Sequence, residues 1–371
     1  MLTLPSFRWL ICGILFLHGL CVVDEALAAD EYELKMIDNS KTFSQAIAVN
    51  AKLEVLGSRE VIEGPGIAMK SYFRSGGTDV QINPPKGFSN LEPQALSDTS
   101  LVVGYVSRPL GNENGSLRGF VWDSKTSELS LLDPLPTDIG SHAQDISADG
   151  KRITGYSTGH TPPRLRPCVW QWQEESKKFV PLGLSTVLQN NPYLQSSQVI
   201  ITPNGNRIAA CITEEQLSDF TFDCSLFVWD CSETGEWVRK KLSDEQPKLK
   251  DMNDQGTVVG VTSGEVGSRA IVIDPNGKIE LIDLLLGDES NVAYGINNAG
   301  TVVGMSDDPH GGEGGPQAFI WRKGIVEPLK LLKSTVDSSA LAINQEGAIS
   351  GFMLKDEQED ASVVSFIRIA K

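Results

Sequence analysis

The chain has 371 residues, with 48 Asp and Glu against 32 Lys and Arg, for a formal net charge of −16 at pH 7. Such an acidic balance disfavours nucleic acid and anionic membrane surfaces as partners, because phosphate recognition depends on clustered Lys and Arg. The length exceeds that of a common single domain, but a closed array of repeats can grow as one unit because each repeat contacts its neighbours.

Residues 1–28 have the pattern of a secretory signal peptide. Arg8 supplies the positive start, Leu10–Val23 the apolar core, and Ala26–Ala28 a small-residue cleavage site. The alternative is a transmembrane anchor, which needs about 20 consecutive apolar residues, and this run is shorter. We therefore expect an exported protein, secreted or periplasmic, whose mature part is a single domain over residues 29–371 without a membrane span.

The mature chain carries seven copies of one unit. The copies align on one small residue each: Gly57, Gly104, Gly155, Ala210, Gly260, Gly304 and Gly351. The spacing between these positions runs from 44 residues (Gly260 to Gly304) to 55 residues (Gly155 to Ala210). Repeats of this length are typical of propeller blades.

Each copy has the same internal order, seen best in the sixth. A short apolar piece ends in a small polar residue at Gly295–Asn297, and a tight turn follows at Asn298–Gly300. An apolar run, Thr301–Gly304, and an aromatic run, Ala318–Trp321, come next, and a last strand closes the copy. β-branched and aromatic runs bounded by Gly, Asn, Asp and Pro predict strands. Four strands in each of seven copies predict an all-β fold, a seven-bladed β-propeller with four-stranded blades.

Two patterns indicate how the blades pack. The continuous apolar pairs Val258–Val259 and Val302–Val303 suit middle strands that neighbouring blades cover on both faces. Four tryptophans share one phase of the repeat: Trp122, Trp170, Trp229 and Trp321. We expect these rings in the core between blades. The alternative is a stacking surface for carbohydrate.

The two ends of the mature chain complement each other. The last copy ends after its third strand, at Ser365–Ile367, whereas Glu33–Ile37 has the pattern of a spare outer strand. We predict that this N-terminal strand completes the last blade and closes the ring, which removes the exposed edges of an open array.

The repeat resembles the HAF-type extracellular repeat of bacterial exported proteins. The phrase Ala-x-x-Ile-Asn-x-x-Gly-x-Val-Val-Gly, followed by Ala-Phe-x-Trp, is matched best by Ile296–Trp321 and next by Met252–Ile273, with weaker copies over Thr42–Lys371. The chain departs from the family pattern at three positions: Ser97, Ala210 and Gln317. The last of these stands where the histidine of the family name occurs. The resemblance implies export and a propeller-like array, and it implies no catalytic residues.

Four cysteines lie in the mature chain: Cys168, Cys211, Cys224 and Cys231. Export would permit disulfides. The hairpin of the fourth copy brings Cys211 near Cys224, which makes this pair the candidate disulfide. The alternative is a set of free, half-buried thiols. No Cys-x-x-Cys spacing occurs, so no structural zinc site is predicted.

The sequence assigns no metal, cofactor or catalytic residue. Asp307, Asp308 and His310 could offer ligand atoms in one loop, but calcium needs carboxylates at fixed spacing and this loop lacks the EF-hand pattern. We therefore interpret it as a solvated acidic turn. No phosphate-binding loop, Gly-x-Gly-x-x-Gly or His-Glu-x-x-His motif occurs.

The longest loops join the second and third strands of the copies. In an up-and-down blade these loops share one face with the connections between blades, and insertions in repeat proteins concentrate on the binding face. We place the ligand site on this loop face, over the central channel, with eight candidate residues: Arg108, Arg118, His160, Arg164, Arg166, Asp307, Asp308 and His310. The early loops make a basic sector and the later loops an acidic one.

Three functions remain open. The leading hypothesis is a monomeric, non-enzymatic propeller that binds a protein or a glycan through its loop face. The second is a glycan lyase or hydrolase with carboxylates at the channel mouth, and the third is a structural envelope component. Paired carboxylates with raised pKa values in the channel would favour the enzyme.

Overall fold

The computed structural model describes residues 32–37, 42–64, 66–109, 117–159, 164–186, 198–216, 222–263, 267–307, 315–355 and 362–370. These ranges hold 28 β-strands arranged as seven four-stranded antiparallel sheets. Within the same ranges, no helix has the length and apolar character needed to cross a membrane. The predicted seven-bladed β-propeller with four-stranded blades is confirmed.

The first strand of each blade lies innermost, and the second packs beside it. The innermost strands of blades 1 to 7 are β2 (Ser44–Val49), β6 (Asn90–Leu96), β10 (Gly140–Ile146), β14 (Val199–Ile201), β18 (Lys248–Met252), β22 (Ser290–Ile296) and β26 (Thr335–Ile343). The second strands are β3 (Val55–Glu63), β7 (Leu101–Ser107), β11 (Arg152–Gly159), β15 (Arg207–Gln216), β19 (Val258–Ser263), β23 (Val302–Asp307) and β27 (Ile349–Lys355).

The third and fourth strands complete each blade toward the rim. The third strands are β4 (Gly66–Ser75), β8 (Arg118–Asp123), β12 (Arg164–Gln173), β16 (Phe222–Cys231), β20 (Ser268–Ile273), β24 (Gln317–Arg322) and β28 (Ser362–Ala370). The outermost strands are β5 (Thr78–Ile82), β9 (Glu128–Leu131), β13 (Lys178–Gly183), β17 (Trp237–Ser243), β21 (Ile279–Leu281), β25 (Ile325–Pro328) and, in blade 7, β1 (Tyr32–Met36).

The hydrophobic core lies between the blades. The middle-strand pairs Val258–Val259 and Val302–Val303 are fully buried, as are the rings of Trp170 and Trp229. The buried Trp170 Nε1 donates a hydrogen bond of 2.7 Å to the carbonyl of Asp133, in the connection from the preceding blade. The phase-locked tryptophans therefore pack between blades, as the repeat phase predicts.

β1 closes the ring. It pairs antiparallel with β28, in a register that runs from Tyr32 opposite Ala370 to Met36 opposite Phe366. The next residue, Ile37, is buried, and its N–H donates to the carbonyl of Ser365 at 2.9 Å. The N-terminal strand thus forms the outer edge of the blade that holds the C-terminal strand.

The repeated asparagine links the innermost turns of neighbouring blades. Asn344 Nδ2 donates to the carbonyl of Asn50 at 2.9 Å, which joins blade 7 to blade 1, and Asn253 Nδ2 donates to the carbonyl of Asn297 at 3.2 Å. Asn297 Oδ1 also accepts the N–H of Thr301, at 3.0 Å, so the side chain fixes its own turn. The remaining blades are joined by bonds from Ala51 to Asp98, Asp98 to Ala148, Ala148 to Pro203, Asn204 to Asp254, and Asn298 to Gln345.

The aligned glycines accommodate a β-bulge in the innermost strand. In blade 3 the pairing shifts between Ala143 and Asp145, so Gln144 is the extra residue. A Cβ added to Gly155 would lie 1.9 Å from the carbonyl oxygen of His142, so only glycine fits there. Equivalent shifts occur in blades 1, 2, 5, 6 and 7.

Blade 4 is the exception, and it is the copy with alanine in place of the glycine. Val199 pairs with Ala210 and Ile200 with Ala209, without a shift. The glycine and the bulge therefore occur together across the seven copies, because the bulge brings a carbonyl oxygen against the second strand. A bulge in turn re-aims one side chain per blade.

The disulfide considered between Cys211 and Cys224 is not formed. All four described cysteines are free thiols. Cys211 pairs with Leu226 and Cys224 with Thr213, so the two cysteines are diagonal neighbours on the ladder. Diagonal neighbours are about 7–8 Å apart, beyond ordinary disulfide geometry. Burial raises the pKa of the Cys211 thiol to about 12, which keeps it protonated.

Candidate functional site

The central channel contains a cavity of about 410 Å³ to which all seven innermost strands contribute. Six of its lining residues are the extra residues of the β-bulges: Ile47, Gln94, Gln144, Lys250, Tyr294 and Leu341. The bulge is therefore the local device that directs one side chain per blade into the channel, and the fold presents these side chains as a ring.

Glutamine amides form much of the polar wall. Gln45 Nε2 donates to Ser58 Oγ at 3.1 Å, and Gln94 Nε2 donates to the adjacent carbonyl of Pro93 at 3.2 Å. Gln144 Oε1 accepts the N–H of Val199 at 2.9 Å and so holds the short innermost strand of blade 4. Each amide carries two donors and an acceptor, so the wall retains hydrogen-bonding capacity toward a ligand.

Five ionisable side chains line the cavity, and three of them are Glu92, Lys250 and Tyr294. Burial raises the pKa of Glu92, and burial together with the nearby charge of Lys248 lowers the pKa of Lys250. Lys250 Nζ lies 5.4 Å from the ring centroid of Tyr294, whose pKa burial raises. Neither charged group has a hydrogen bond or ion pair with any described residue, so each would gain from a polar ligand.

Two aspartates connect neighbouring blades in the channel wall. Asp145 accepts the N–H of Ile146 and, from the next blade, the N–H of Ile201, both at 2.8 Å. Asp251 accepts the N–H of Met252 at 2.7 Å and of Ile296, also in the next blade, at 2.9 Å. Both residues contribute surface to the cavity, but backbone encloses their carboxylates.

These carboxylates hold their protons unusually tightly. Burial raises the pKa of Asp145 to about 7; the N–H bond from Ile201 opposes this and the charge of Asp251 adds to it. Burial likewise raises the pKa of Asp251 to about 6, although the two hydrogen bonds that it accepts from backbone N–H groups act to lower it. Two carboxylates with raised pKa values thus line one cavity, which is the arrangement that would favour an enzyme.

The raised pKa values predict a fall in stability with rising pH. Between pH about 4 and about 7 the folded chain retains protons that the unfolded chain has released, so the free energy of unfolding falls as pH rises. We expect Asp145→Asn to flatten this fall, in urea unfolding at pH 4.5, 6.0 and 7.5. Asp283→Asn, at an exposed position, is the control. Equal slopes for Asp145→Asn and the unaltered chain would contradict the assignment.

An aromatic stack lies between blades 2 and 3. The ring of His142 stacks on Tyr105 at 4.0 Å and on Tyr156 at 4.6 Å between centroids. Burial lowers the pKa of His142 to about 4, although a backbone hydrogen bond acts to raise it. The Nδ1 atom of His142 has no partner among the described residues. Burial raises the pKa of Tyr156 to about 12. His142 is therefore neutral at pH 7 and acts as part of the interblade packing.

Two of the predicted loop-face arginines hold blade connections. Arg118 Nη2 lies 3.4 Å from Asp133 Oδ1, and Arg166 Nη2 lies 2.8 Å from the buried carboxylate of Asp138. Arg166 also donates to the carbonyl of Pro136 at 3.0 Å. Both ion pairs fix the segment that joins blade 2 to blade 3.

The other predicted residues lie at the same end of the blades or outside the described ranges. Arg108 is exposed, with its guanidinium 5.5 Å from the ring centroid of Phe88. Arg164 and Asp307 occupy the loop ends of β12 and β23. Three predicted residues lie outside the described ranges: His160, Asp308 and His310. None of the predicted residues that the structure describes lines the channel cavity.

The channel residues themselves were missed by sequence reasoning. The available signal was the variable position two residues before the last apolar residue of each bulged innermost strand, occupied for example by Gln94, Gln144 and Lys250. That position looks like an ordinary strand residue until the bulge is known.

Comparison with known proteins supports the fold but no particular function. No protein-family model and no curated protein matches the chain. The β-propeller domain of the trilobed protease from Pyrococcus furiosus is similar, with a TM-score of 0.53 and 10% identity over 87% of this chain and 93% of that domain. That domain is described as having an open velcro topology.

Propeller-containing peptidases are also similar. One of two prolyl endopeptidases aligns with a TM-score of 0.57 and 11% identity over 89% of this chain and 50% of its own length. Prolyl oligopeptidase B from Galerina marginata aligns with a TM-score of 0.56 and 11% identity, over 91% and 51%. The chain thus spans about half the length of these peptidases. At such identity the likeness supports the class that the seven sheets define, a β-propeller, and no activity.

Proposed function

We propose that this chain is an exported, non-enzymatic binding propeller that takes a polar, hydroxyl-rich ligand, a segment of glycan, in its central channel. The single observation that carries the proposal is the cavity wall. It combines glutamine amides with Glu92 and Lys250, two charged groups that are partly desolvated and without a bonded partner in the described chain. The HAF-type resemblance of Ile296–Trp321 supports export.

The buried aspartates fit a structural role better than a catalytic one. Each uses both carboxylate oxygens to accept backbone N–H groups, one from its own blade and one from the next. A catalytic acid or base must instead reach the proton that it transfers. The raised pKa values of Asp145 and Asp251 nevertheless favour a glycan hydrolase as the second candidate, since that chemistry uses one protonated and one ionised carboxyl group.

The test is a glycan array with the mature chain, residues 29–371, followed by titration of the best binder. We expect the double variant Glu92→Gln, Lys250→Met to bind at least about tenfold more weakly, because a hydrogen bond to a charged group contributes about 1.5–3 kcal/mol. Arg108→Ser is the matched control on the loop face, outside the cavity.

Three outcomes decide between the candidates. Binding that the channel variant leaves unchanged, or no glycan bound at all, would contradict the proposal. Release of reducing ends from a bound glycan, lost in Asp145→Asn, would establish the hydrolase instead. Affinity capture of a single envelope protein through the channel would replace the glycan with a polypeptide ligand.

A further inference from the structure

A second, larger cavity of about 710 Å³ lies between blades 2 and 3, away from the channel. Apolar side chains form its floor: Leu101, Val121, Leu131, Trp172 and Phe179. The rings of Trp172 and Phe179 meet edge to face, with centroids 5.2 Å apart. Both rings are half-buried, so this aromatic pair borders the cavity without being sealed in the core.

The next pair of blades shows why this groove is open. Arg152 begins the second strand of blade 3 and reaches blade 4, where Nη1 donates to the carbonyl of Gly205 at 2.7 Å. Its guanidinium lies 5.6 Å from the ring centroid of Trp237 and covers that ring. Trp237, opposite Cys231, holds the blade position that Phe179, opposite Trp172, holds in blade 3.

In blade 2 the residue equivalent to Arg152 is Leu101, since each stands three positions before the aligned glycine of its copy. Leu101 packs close to Gly150, as the stem of Arg152 packs close to Gly205. It is too short to cross to the aromatic pair of blade 3. The groove between blades 2 and 3 is therefore open where Arg152 covers the equivalent space between blades 3 and 4.

The rim of the groove supplies hydrogen-bonding groups. Two acidic residues are already engaged: Asp149 Oδ1 accepts from Ser147 Oγ at 2.7 Å, and Glu174 pairs with Lys177 at 2.7 Å. The ammonium groups of Lys125 and Lys178 form no hydrogen bond or ion pair with the described residues, and both residues stand exposed at the opening. Free donors thus surround an aromatic and aliphatic floor.

We propose that this groove is a second binding site, for a sugar ring of a glycan, with Trp172 as the stacking surface. A sugar ring has an apolar C–H face and a periphery of hydroxyls, which matches an aromatic floor with a polar rim. The site is separate from the channel and does not depend on the function proposed for it. Trp172 is not one of the four phase-locked tryptophans, which are buried between the blades.

The test labels the chain with 5-fluorotryptophan and assigns the Trp172 resonance with Trp172→Phe. Cellohexaose, chitohexaose and hexagalacturonate are titrated separately. We expect at least one of them to shift the Trp172 signal saturably at millimolar concentration or below. Leu101→Arg, which supplies the side chain that fills the neighbouring groove, should weaken this binding at least tenfold. Leu101→Met, apolar and of similar volume, should leave it unchanged.

The signals of the buried tryptophans report whether Leu101→Arg remains folded, and Lys125→Gln gives a second variant that leaves the core untouched. The channel variant Glu92→Gln, Lys250→Met should bind at the groove like the unaltered chain, which separates the two sites. The proposal is overturned if no probe shifts Trp172, or if folded Leu101→Arg binds normally. It is also overturned if an extended (Thr-Val)₃ peptide shifts Trp172 and the sugars do not, since that result would indicate strand addition at β9.

Discussion

Deleting residues 29–39 from a chain of residues 29–371 is expected to lower its melting temperature by about 10 °C or more. The deletion removes β1, and with it a ladder of five residue pairs to β28. It also removes Leu34 from the core between blades 6 and 7, the buried Ile37, and the ring of Tyr32, which lies 4.1 Å from the guanidinium of Arg368. Burial of one large aliphatic side chain contributes about 1.5–3 kcal/mol, so the loss amounts to several kcal/mol.

Deletion of residues 29–31 alone is the matched control, because it shortens the chain but leaves β1 intact. Differential scanning calorimetry gives the comparison. Loss of β1 also exposes the edge of β28, so the longer deletion should aggregate more readily on heating. Equal melting temperatures for both deletions would show that closure of the ring contributes nothing to stability.

Gly155→Ala is expected to reduce the free energy of unfolding by about 3 kcal/mol, in the upper part of the range for overpacked sites. The new Cβ would meet the carbonyl oxygen of His142 at 1.9 Å, and a backbone atom cannot rotate aside as a flexible side chain can. The bulge at Gln144 must therefore flatten or the two strands must separate. Urea unfolding at pH 7 measures the loss.

Blade 4 provides the reverse substitution as a control. Its innermost strand has no bulge opposite Ala210, so Ala210→Gly should cost only about 1 kcal/mol, the usual penalty for glycine in a strand. If the two substitutions cost the same, the glycine would not be required by the bulge. A Gly155→Ala chain that remains folded should also bind channel ligands more weakly, because Gln144 would leave the ring.

Much of the fold was predictable because the pattern of each strand recurs in seven copies. The apolar pair Val302–Val303, the turn at Asn298–Gly300 and the aromatic run at Ala318–Trp321 each belong to a single element, and local patterns determine such elements. The spare strand at Glu33–Ile37 could be recognised for a related reason, since counting strands left one spare at the N-terminus and one missing from the last copy.

The candidate sites were less predictable because they depend on contacts between blades. The loop-face hypothesis assigned Arg118 and Arg166 to a ligand site, but only the folded chain shows Asp133 and Asp138 beside them. The disulfide hypothesis failed for a similar reason. The hairpin does bring Cys211 and Cys224 near each other, but the register sets them diagonally, and a register differing by one pair cannot be read from the spacing.

The sequence alone therefore determined the number of blades, the order of strands and the residues of the core, because period and polarity are properties of neighbouring residues. Only the tertiary structure decided which side chains face the channel and where a groove stays open. A bulge re-aims Gln144 and sets the carbonyl of His142 against Gly155 on the adjacent strand. Leu101 leaves a space only because the aromatic pair of the next blade stands opposite it. Both effects arise between residues about 10 to 80 positions apart in sequence. A sequence pattern does not give the distance between such residues, whereas packing in the folded chain fixes it.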